Sequence, residues 1–348
     1  MSNLKILHIT DLHFRHNGRL FYSTGKKINN GLILNGHNVL NVSDRDITNQ
    51  KRNILDIGSK KYLNDRIIQN IENFKPDMIL LGHVDRLDYE TFTNIKEKYS
   101  SIRYAQWFLD PLNKDGPDYI KNKNRFFLKY QFCDMNFVTT SVDAIDFADD
   151  FKTSFIPNPI DPSIDKYKNF NNKNKCKKDM FIAISHGQHR GILKRDFIDD
   201  RIKFINKLTK KISYNLFGYK NNPIWGQDYF DELCKCTMAL NISRGKPIKY
   251  YSSDRISSLL GNGLLTFIDE KYLYQDFFNK DEIVTFKNVL DLNRKIIYYK
   301  NNPRLLKKVA MNGHKKAHKI FNNKLISNYI VNKTMNNKIS YLYKWMND

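Results

Sequence analysis

The sequence predicts an α/β protein made of two Rossmann-like domains in succession. With 348 residues the chain is too long for one ordinary hydrophobic core, and a hydrophobic content of 41% is enough to build two. Apolar strands alternate with amphipathic helical stretches in both halves, a pattern typical of parallel sheets with helices on both faces. A polar, Lys- and Asn-rich stretch without periodicity, at 165–178, separates the two series.

The first half contains the clearer series. Its apolar runs predict strands at 5–9, 38–42, 78–81, 103–108, 135–139 and 154–156. The amphipathic stretches between them predict helices at 25–34, 62–73, 89–98, 119–130 and 142–149. Two junctions support the series, because Gly36 suits the left-handed end of a helix and Pro76 prevents a helix from continuing. We therefore expect a first domain over 1–160.

The second half repeats the pattern and predicts a second domain over 161–323. Its expected strands are 180–185, 214–217, 238–242, 264–268 and 282–286. Its expected helices are 196–211, 228–235 and 253–260, and three more follow at 290–300, 304–320 and 324–346. Because open parallel sheets bind ligands at the carboxyl ends of their strands, we expect the two domains to face each other across a cleft.

The composition limits the partners and the location without selecting one. The net charge of +22 favours an anionic partner, although a compositional drift toward Lys and Asn explains it equally well. We expect no nucleic acid partner, because no recognised module or concentrated basic stripe is visible. A chain without a secretory leader and with four cysteines indicates a cytoplasmic protein. No apolar run is long enough to span a bilayer, so membrane contact would be peripheral.

The opening of the chain raises the alternative of a dinuclear metallophosphoesterase. The first strand runs into Asp11-x-His13, as in many such enzymes. The further ligand motifs are damaged at 42–46 and 82–85, and the order of residues at 185–189 is wrong. We therefore expect no metal site, and the hydrolase is kept only as an alternative, together with a basic nucleic-acid-binding protein.

Several segments together resemble a known family. They are 5–9, 34–39, 75–80, 156–159, 216–218, 240–244 and, above all, 253–265. In these segments the chain is similar to glycosyltransferases of the two-Rossmann-domain (GT-B) type, and most closely to CgeB-like spore-maturation proteins and group 1 glycosyltransferases. The resemblance implies a donor-binding C-terminal domain, an acceptor-binding N-terminal domain and a C-terminal helix, 324–348, that crosses back to the first domain.

The resemblance also implies the chemistry. The expected enzyme moves a sugar from a nucleotide-sugar, with no other cofactor, to an acceptor hydroxyl on a bacterial surface glycan such as lipopolysaccharide or capsule. Many relatives carry a Glu three residues after the Arg that matches Arg255, but this chain has Ser258 there. UDP-, GDP- and CMP-linked donors are therefore all open.

The expected donor site is centred on Arg255. A helix that begins near Ser253 would point N–H groups and its positive dipole end at a diphosphate, and an Arg in its first turn adds a permanent charge. A solvent-facing Arg, a basic loop at 185–194 and aromatic core packing near Tyr250 are the plainer alternatives. The full set of expected donor residues is Gly187, Arg190, Lys194, Arg244, Lys249, Tyr250, Ser253, Asp254 and Arg255.

The expected acceptor site lies at the strand ends of the first domain. Asp11 and His13 follow the first strand, His83 the third and Asp110 the fourth, so they converge on one edge of the sheet. If the transfer inverts configuration, one of them takes the proton of the acceptor hydroxyl. We expect Asp11 and His13 first in this role, and Asp110 and His83 second.

Overall fold

A computed structural model describes residues 3–50, 59–147, 152–171, 176–184, 200–219, 221–339 and 341–346. The chain divides into two compact units. The first comprises Met1–Pro159 with Asn322–Asp348, and the second comprises Ile160–Phe321. No helix in these described ranges is long and apolar enough to cross a membrane.

The first unit contains a six-stranded parallel sheet with the order β2-β1-β3-β4-β5-β6. The strands are β1 (Lys5–Ile9), β2 (Asn38–Val42), β3 (Met78–Leu81), β4 (Arg103–Phe108), β5 (Met135–Val138) and β6 (Thr153–Phe155). All four residues of β3 are buried, as expected for a central parallel strand covered on both faces. The register pairs Ile6 with both Val39 and Met78, so β1 lies between β2 and β3.

Helices cover both faces of this sheet. They are α1 (Thr24–Leu34), α2 (Asp44–Gln50), α3 (Lys60–Phe74), α4 (Tyr89–Lys98) and α5 (Tyr119–Tyr130). Their ends follow local chemistry. Asp88 caps α4 by accepting a hydrogen bond from the Thr91 amide, and Gly36 takes a left-handed φ of 86° just after α1.

The C-terminal helix α11 (Asn323–Thr334) belongs to the first unit and packs closely on α1. Gly31 makes this approach possible, because a Cβ atom there would lie 2.2 Å from the carbonyl oxygen of Asn323. The Ser327 hydroxyl donates to the Ile28 carbonyl across the same contact at 2.9 Å. Beyond α11, Tyr343 and Trp345 fold back to pack on Tyr329.

The second unit contains a five-stranded parallel sheet with the order β11-β10-β9-β7-β8. The strands are β7 (Lys178–Ala183), β8 (Tyr214–Phe217), β9 (Cys236–Leu240), β10 (Leu265–Asp269) and β11 (Val284–Phe286). The helices are α6 (Asp200–Ile205), α7 (Gly226–Leu233), α8 (Arg255–Gly261), α9 (Val289–Asn301) and α10 (Pro303–Ile320). One hydrophobic cluster joins the sheet to α6, α9 and α10.

Most predicted elements are present within a few residues, and the exceptions are one missed helix and four helices predicted with wrong bounds. One of the four is the helix expected at 196–211, which ends at Ile205 in its described part. Helix α2 was not predicted. The helix expected at 142–149 is only a single 3₁₀ turn, Val142–Ala144, in its described part. The terminal helix ends at Thr334 and does not reach 346, because the aromatic residues beyond it pack on the core as irregular chain. The helix expected at 253–260 begins two residues later, at Arg255.

Candidate functional site

Polar side chains from three loops meet at the carboxyl edge of the first sheet. The loops follow β1, β3 and β4, and they carry the four residues predicted for catalysis. The structure places all four in one network of alternating carboxylates and guanidinium groups. The arginines that connect the network are Arg15, Arg45 and Arg125.

Asp11 is buried directly after β1, and arginines occupy both of its oxygens. Arg15 donates to Oδ1 at 2.7 Å and to Oδ2 at 2.8 Å, and Arg45 adds a bond to Oδ2 at 3.2 Å. Burial alone would raise the pKa of Asp11, but the hydrogen bond from Arg15 and the nearby positive charges hold it below its ordinary value. Asp11 is therefore a permanent anion with little capacity left to accept a proton.

His13 lies beside this ion pair. Its Nδ1 is 3.2 Å from Oδ2 of Asp11, and its backbone N–H donates to Oδ1 of the same carboxylate. Burial lowers the pKa of His13 more than the Asp11 charge raises it, so the imidazole is neutral at pH 7. The backbone at His13 has a left-handed φ of 63°, which turns the chain toward the exposed segment that follows.

The carboxylates at 44–46 serve the backbone and the arginines, which argues against the metallophosphoesterase alternative. Asp46 accepts hydrogen bonds from the amides of Phe14 and Arg15, and Asp44 from those of Asp85 and Arg86. Across the described ranges, no three His, Cys, Asp or Glu residues are grouped so that they could hold a metal ion.

Arg45 ties the β1 loop to the β3 loop. Its guanidinium forms two hydrogen bonds with Asp85, at 2.9 and 2.6 Å, in addition to the bond with Asp11. Asp44 lies beneath this pair and is fully buried. Burial, reinforced by the charge of Asp85, raises the pKa of Asp44 to about 6.

Asp110 and His83 share a single arginine. Arg125, on α5, donates to Oδ2 of Asp110 at 2.9 Å and lies 3.0 Å from Nδ1 of His83. The side chain of Asp110 is 38% exposed, and its Oδ1 makes no hydrogen bond within the described chain. Asp110 is thus a carboxylate that is oriented through one oxygen and open at the other.

The contact with Arg125 also determines the protonation of His83. A guanidinium has no acceptor, so Nδ1 of His83 must accept the hydrogen bond and the neutral ring carries its proton on Nε2. Burial, with the nearby positive charges, lowers the pKa of His83 to about 4 against the opposing effect of Asp110. The ring stacks on Phe108 with centroids 5.3 Å apart, which fixes its orientation.

Sequence reasoning missed Arg15, Arg45 and Arg125. Each is separated from its partner carboxylate by 4 to 40 residues, and nothing in the local pattern marks it. The one available signal was position. Arg15 and Arg45 follow strands β1 and β2, and strand ends of a parallel sheet meet at one edge.

In the second unit, Arg255 is the first residue of α8 and reaches the end of β9. Its Nη1 donates to the carbonyl oxygen of Ile242 at 2.8 Å and lies 3.5 Å from the side-chain oxygen of Asn241. No carboxylate in the described part of the chain is within ion-pairing distance of this guanidinium. Burial lowers the pKa of Arg255, and the positive charge of the buried Arg201 adds to the effect.

Among the described residues, the guanidinium of Arg255 is thus hydrogen-bonded to neutral oxygens only; the adjacent Asp254 acts on it by its charge alone, and Arg201 is a second cation nearby. A half-buried cation without a counter-ion is costly unless an anion binds there. Arg201, in the first turn of α6, was not among the predicted residues. The arrangement suits a phosphate or diphosphate group.

The other predicted donor residues that the structure describes differ in burial and in hydrogen bonding. Ser253 is half-buried, and its hydroxyl has no hydrogen-bond partner within the described residues. Asp254 is exposed and does not cap α8 with its side chain. Tyr250 is buried, with its hydroxyl donating to Asp276 at 2.8 Å, so its ring packs in the core. The ammonium of Lys249 lies 5.1 Å from the Tyr250 ring centroid.

Four predicted donor residues remain to be placed. Arg244 is half-buried after β9. Gly187, Arg190 and Lys194 lie outside the described residues.

Comparison with known proteins identifies the class. Residues 200–330 match the family model described as "Glycosyl transferase-like". No curated protein sequence matches the chain. Similar solved structures include an alpha-glucosyltransferase in complex with UDP-glucose and DNA containing an abasic site, with 10% identity over 96% of this chain and 100% of that chain and a TM-score of 0.65.

Two further structures have the same fold. A glycosyltransferase from Rickettsia africae is 14% identical over 97% of this chain and 100% of that chain, with a TM-score of 0.58. Anabaena HepE in complex with UDP is 11% identical over 96% and 100%, with a TM-score of 0.54. The predicted GT-B fold is confirmed by these structures. The prediction of a glycosyltransferase is confirmed by the family match over 200–330 taken together with this fold.

Proposed function

We propose that the protein transfers a sugar from a UDP-sugar to an acceptor hydroxyl, with the donor bound by the second unit and the acceptor by the first. The single observation that carries the donor assignment is the guanidinium of Arg255, whose hydrogen-bond partners among the described residues are neutral oxygens and which lies near Arg201. A UDP leaving group develops negative charge as the glycosidic bond breaks, and fixed cations stabilise that charge. UDP is chosen among the nucleotides because neighbours of the same fold bind UDP or UDP-glucose.

In the first unit, Asp110 is the proposed general base, in preference to Asp11. Both oxygens of Asp11 are committed to arginines, whereas Oδ1 of Asp110 is open. In an inverting transfer, Asp110 would take the acceptor proton as the hydroxyl oxygen attacks the anomeric carbon and UDP departs. His83, neutral and protonated at Nε2, would act only as a hydrogen-bond donor.

Two finer assignments rest on the resemblance and not on this geometry: membership of the CgeB-like group, and a surface glycan such as lipopolysaccharide or capsule as acceptor. A cytoplasmic location with peripheral membrane contact rests on the composition and charge of the sequence. The excess of 58 Lys and Arg over 36 Asp and Glu supports contact with anionic material of that kind.

Transfer to DNA is the second candidate. The neighbour with a TM-score of 0.65 is a glucosyltransferase solved with DNA, and the net charge of +22 suits a polyanionic acceptor. The two candidates differ in the acceptor alone.

Thermal unfolding with a panel of UDP, GDP, CMP and dTDP tests the donor assignment. A ligand at 100 times its Kd stabilises the folded state by about 2.7 kcal/mol, so UDP should raise the melting temperature more than the others do. Equal shifts from all four, or none, would contradict the assignment. Hydrolysis of UDP-glucose in the absence of acceptor, and transfer to duplex DNA or to extracted glycan, then separate the two acceptors.

A further inference from the structure

The positive charge of the chain is concentrated in the second unit. Residues 160–321 contain 32 Lys and Arg against 16 Asp and Glu, whereas the remaining residues contain 26 against 20. A compositional drift toward Lys would act on the whole chain. It therefore does not account for a first unit that is close to balanced beside a second unit that is strongly basic.

Part of this charge lies together on one side of the second sheet. Helices α6, α9 and α10 lie on one face of the second sheet, where Ile205, Ile296 and Val309 share its hydrophobic cluster. Their other sides point away from the core. We call this outward side the basic face and define it by Lys207, just after α6, Leu290, Arg294 and Tyr298 on α9, and Arg304, Lys307, Lys308 and Lys315 on α10.

Helix α10 forms the centre of the basic face. Its 18 residues include six Lys and Arg and no Asp or Glu. Arg304, Lys308 and Lys315 follow one another at intervals of 4 and 7, so they form one stripe directly opposite the buried Leu306 and Ala310. None of these three cations forms an ion pair with a residue in the described part of the chain.

Three acidic residues around the basic face are already paired with lysines, whereas Asp281 accepts a hydrogen bond from Asn312 of α10 and forms no ion pair within the described chain. Asp291 pairs with Lys295 at 2.9 Å, and Asp179 pairs with Lys300 at 3.1 Å. Asp200 lies 3.5 Å from Lys203. The three cations of the α10 stripe therefore have no ion-pair partner among the described residues, and their mutual repulsion decreases when an external anion approaches.

Helix α9 adds apolar side chains to the same face. Leu290, Arg294 and Tyr298 are spaced by four residues and form one exposed stripe, in which Leu290 is 65% exposed and Tyr298 is 53% exposed. An exposed leucine between cations gains nothing from a nucleic acid backbone. It gains free energy when it enters the boundary between lipid headgroups and acyl chains, where tyrosine is also favoured.

We propose that the basic face docks the protein on an anionic lipid bilayer, with the cations of α10 against the headgroups and Leu290 and Tyr298 at the lipid boundary. The inference does not depend on the proposed transfer reaction, because no residue of either candidate site belongs to the basic face.

Co-sedimentation of the full chain with vesicles tests this proposal. Wild-type protein should sediment with phosphatidylcholine vesicles that contain 30% phosphatidylglycerol at least tenfold better than with pure phosphatidylcholine, and less well as salt increases. The double variant Lys308→Glu with Lys315→Glu should lose about tenfold or more of this binding. The control, Lys26→Glu with Lys121→Glu, makes the same change in net charge on exposed positions of the first unit and should stay within twofold of wild type.

Three results would overturn the proposal. The first is equal loss in both double variants, which would mean that net charge alone acts. The second is no sedimentation of the wild type, accompanied by binding to a short DNA duplex that Lys308→Glu with Lys315→Glu abolishes, which would make the basic face a nucleic acid surface. The third is unchanged binding of Leu290→Ser at physiological salt, since the apolar contact should contribute severalfold. Circular dichroism melts check that each variant is folded.

Discussion

Arg125 bridges Asp110 and His83, with one guanidinium nitrogen 2.9 Å from Oδ2 of Asp110 and another 3.0 Å from Nδ1 of His83. One side chain thus orients the carboxylate proposed as base and sets the tautomer of the adjacent imidazole. The planar guanidinium of an arginine carries several N–H donors in fixed geometry and can therefore contact both groups at once, whereas the single ammonium of a lysine cannot.

Replacing Arg125 should therefore reduce transfer without affecting donor binding. We expect Arg125→Lys to lower kcat by about 10- to 100-fold, because a 1 Å misplacement of a catalytic group has effects of that order. The thermal shift with UDP should stay unchanged, since Arg125 is in the first unit. Lys121→Ala, an exposed position on the same helix, is the control, and a fully active Arg125→Lys would refute the positioning role.

Asp110 and Asp11 should respond differently to the same substitution. Asp110→Asn should reduce transfer by about 10² to 10⁴-fold with little change in the melting temperature, because the side chain is partly exposed and only its basicity is lost. Asp11→Asn removes a carboxylate that Arg15 and Arg45 share, while Arg15 keeps Asp46 and Arg45 keeps Asp85, and it should destabilise the fold by about 2 kcal/mol. Urea unfolding and initial transfer rates, measured on both variants, show which of the two aspartates acts in catalysis. A stable but inactive Asp11→Asn would return the catalytic role to Asp11.

Arg255→Ala should abolish the stabilisation by UDP. Within the described chain this guanidinium is hydrogen-bonded to neutral oxygens only, so its loss removes a cation from the proposed diphosphate site without leaving a described carboxylate unpaired. We expect Arg255→Lys to retain part of the shift and Arg304→Ala, an exposed arginine of the same unit, to retain all of it. Differential scanning fluorimetry with UDP measures the effect, and an undiminished shift in Arg255→Ala would place the nucleotide elsewhere.

Asp44 should make the fold less stable as the pH rises. Its pKa is raised to about 6 in the folded chain, so between its unfolded value near 4 and 6 the folded state binds more protons than the unfolded state. Stability from this group is present at low pH and lost as pH passes 6. Asp44→Asn should therefore gain up to about 3 kcal/mol relative to wild type between pH 4 and pH 7.

Asp46→Asn is the matched control for the pH series, because the two residues share helix α2. Burial would raise the pKa of Asp46, but hydrogen bonds from Ser43, Arg15 and Phe14 lower it. The stability of Asp46→Asn relative to wild type should fall as the pH rises toward the unfolded value near 4 and should then stay level up to pH 7. Parallel pH profiles for the two variants, from urea unfolding, would contradict both assignments.

Gly31→Ala should disrupt the contact between α1 and α11. The added Cβ would lie 2.2 Å from a backbone oxygen, which cannot move aside as a flexible side chain would. We expect a loss of at least about 3 kcal/mol in stability, whereas Ile33→Ala, at a position 52% exposed on the same helix, should be nearly neutral. A melting temperature for Gly31→Ala within two degrees of wild type would show that the helices can separate freely.

Local pattern was enough to predict the parallel strands and most helices. The hydrophobic periodicity of the sequence and the burial seen in the structure agree at β3 and α4, where the predicted and observed bounds coincide. It failed at α2, a seven-residue helix whose three buried residues are polar. A polar helix of this length has no hydrophobic periodicity, and contacts with neighbouring loops bury it. It also failed beyond Thr334, where Tyr343 and Trp345 are buried without a helix.

The sequence by itself determined the α/β class, the strand ends at which Asp11, His83 and Asp110 emerge, and the place of Arg255 at the start of a helix. Only the tertiary structure decided what each group can do. Arg15 and Arg45 occupy both oxygens of Asp11, Arg125 engages only one oxygen of Asp110, and Arg255 donates only to neutral oxygens among the described residues. The reason is physical: strand order and helix packing bring these charges together, and the protonation and availability of a side chain depend on such neighbours.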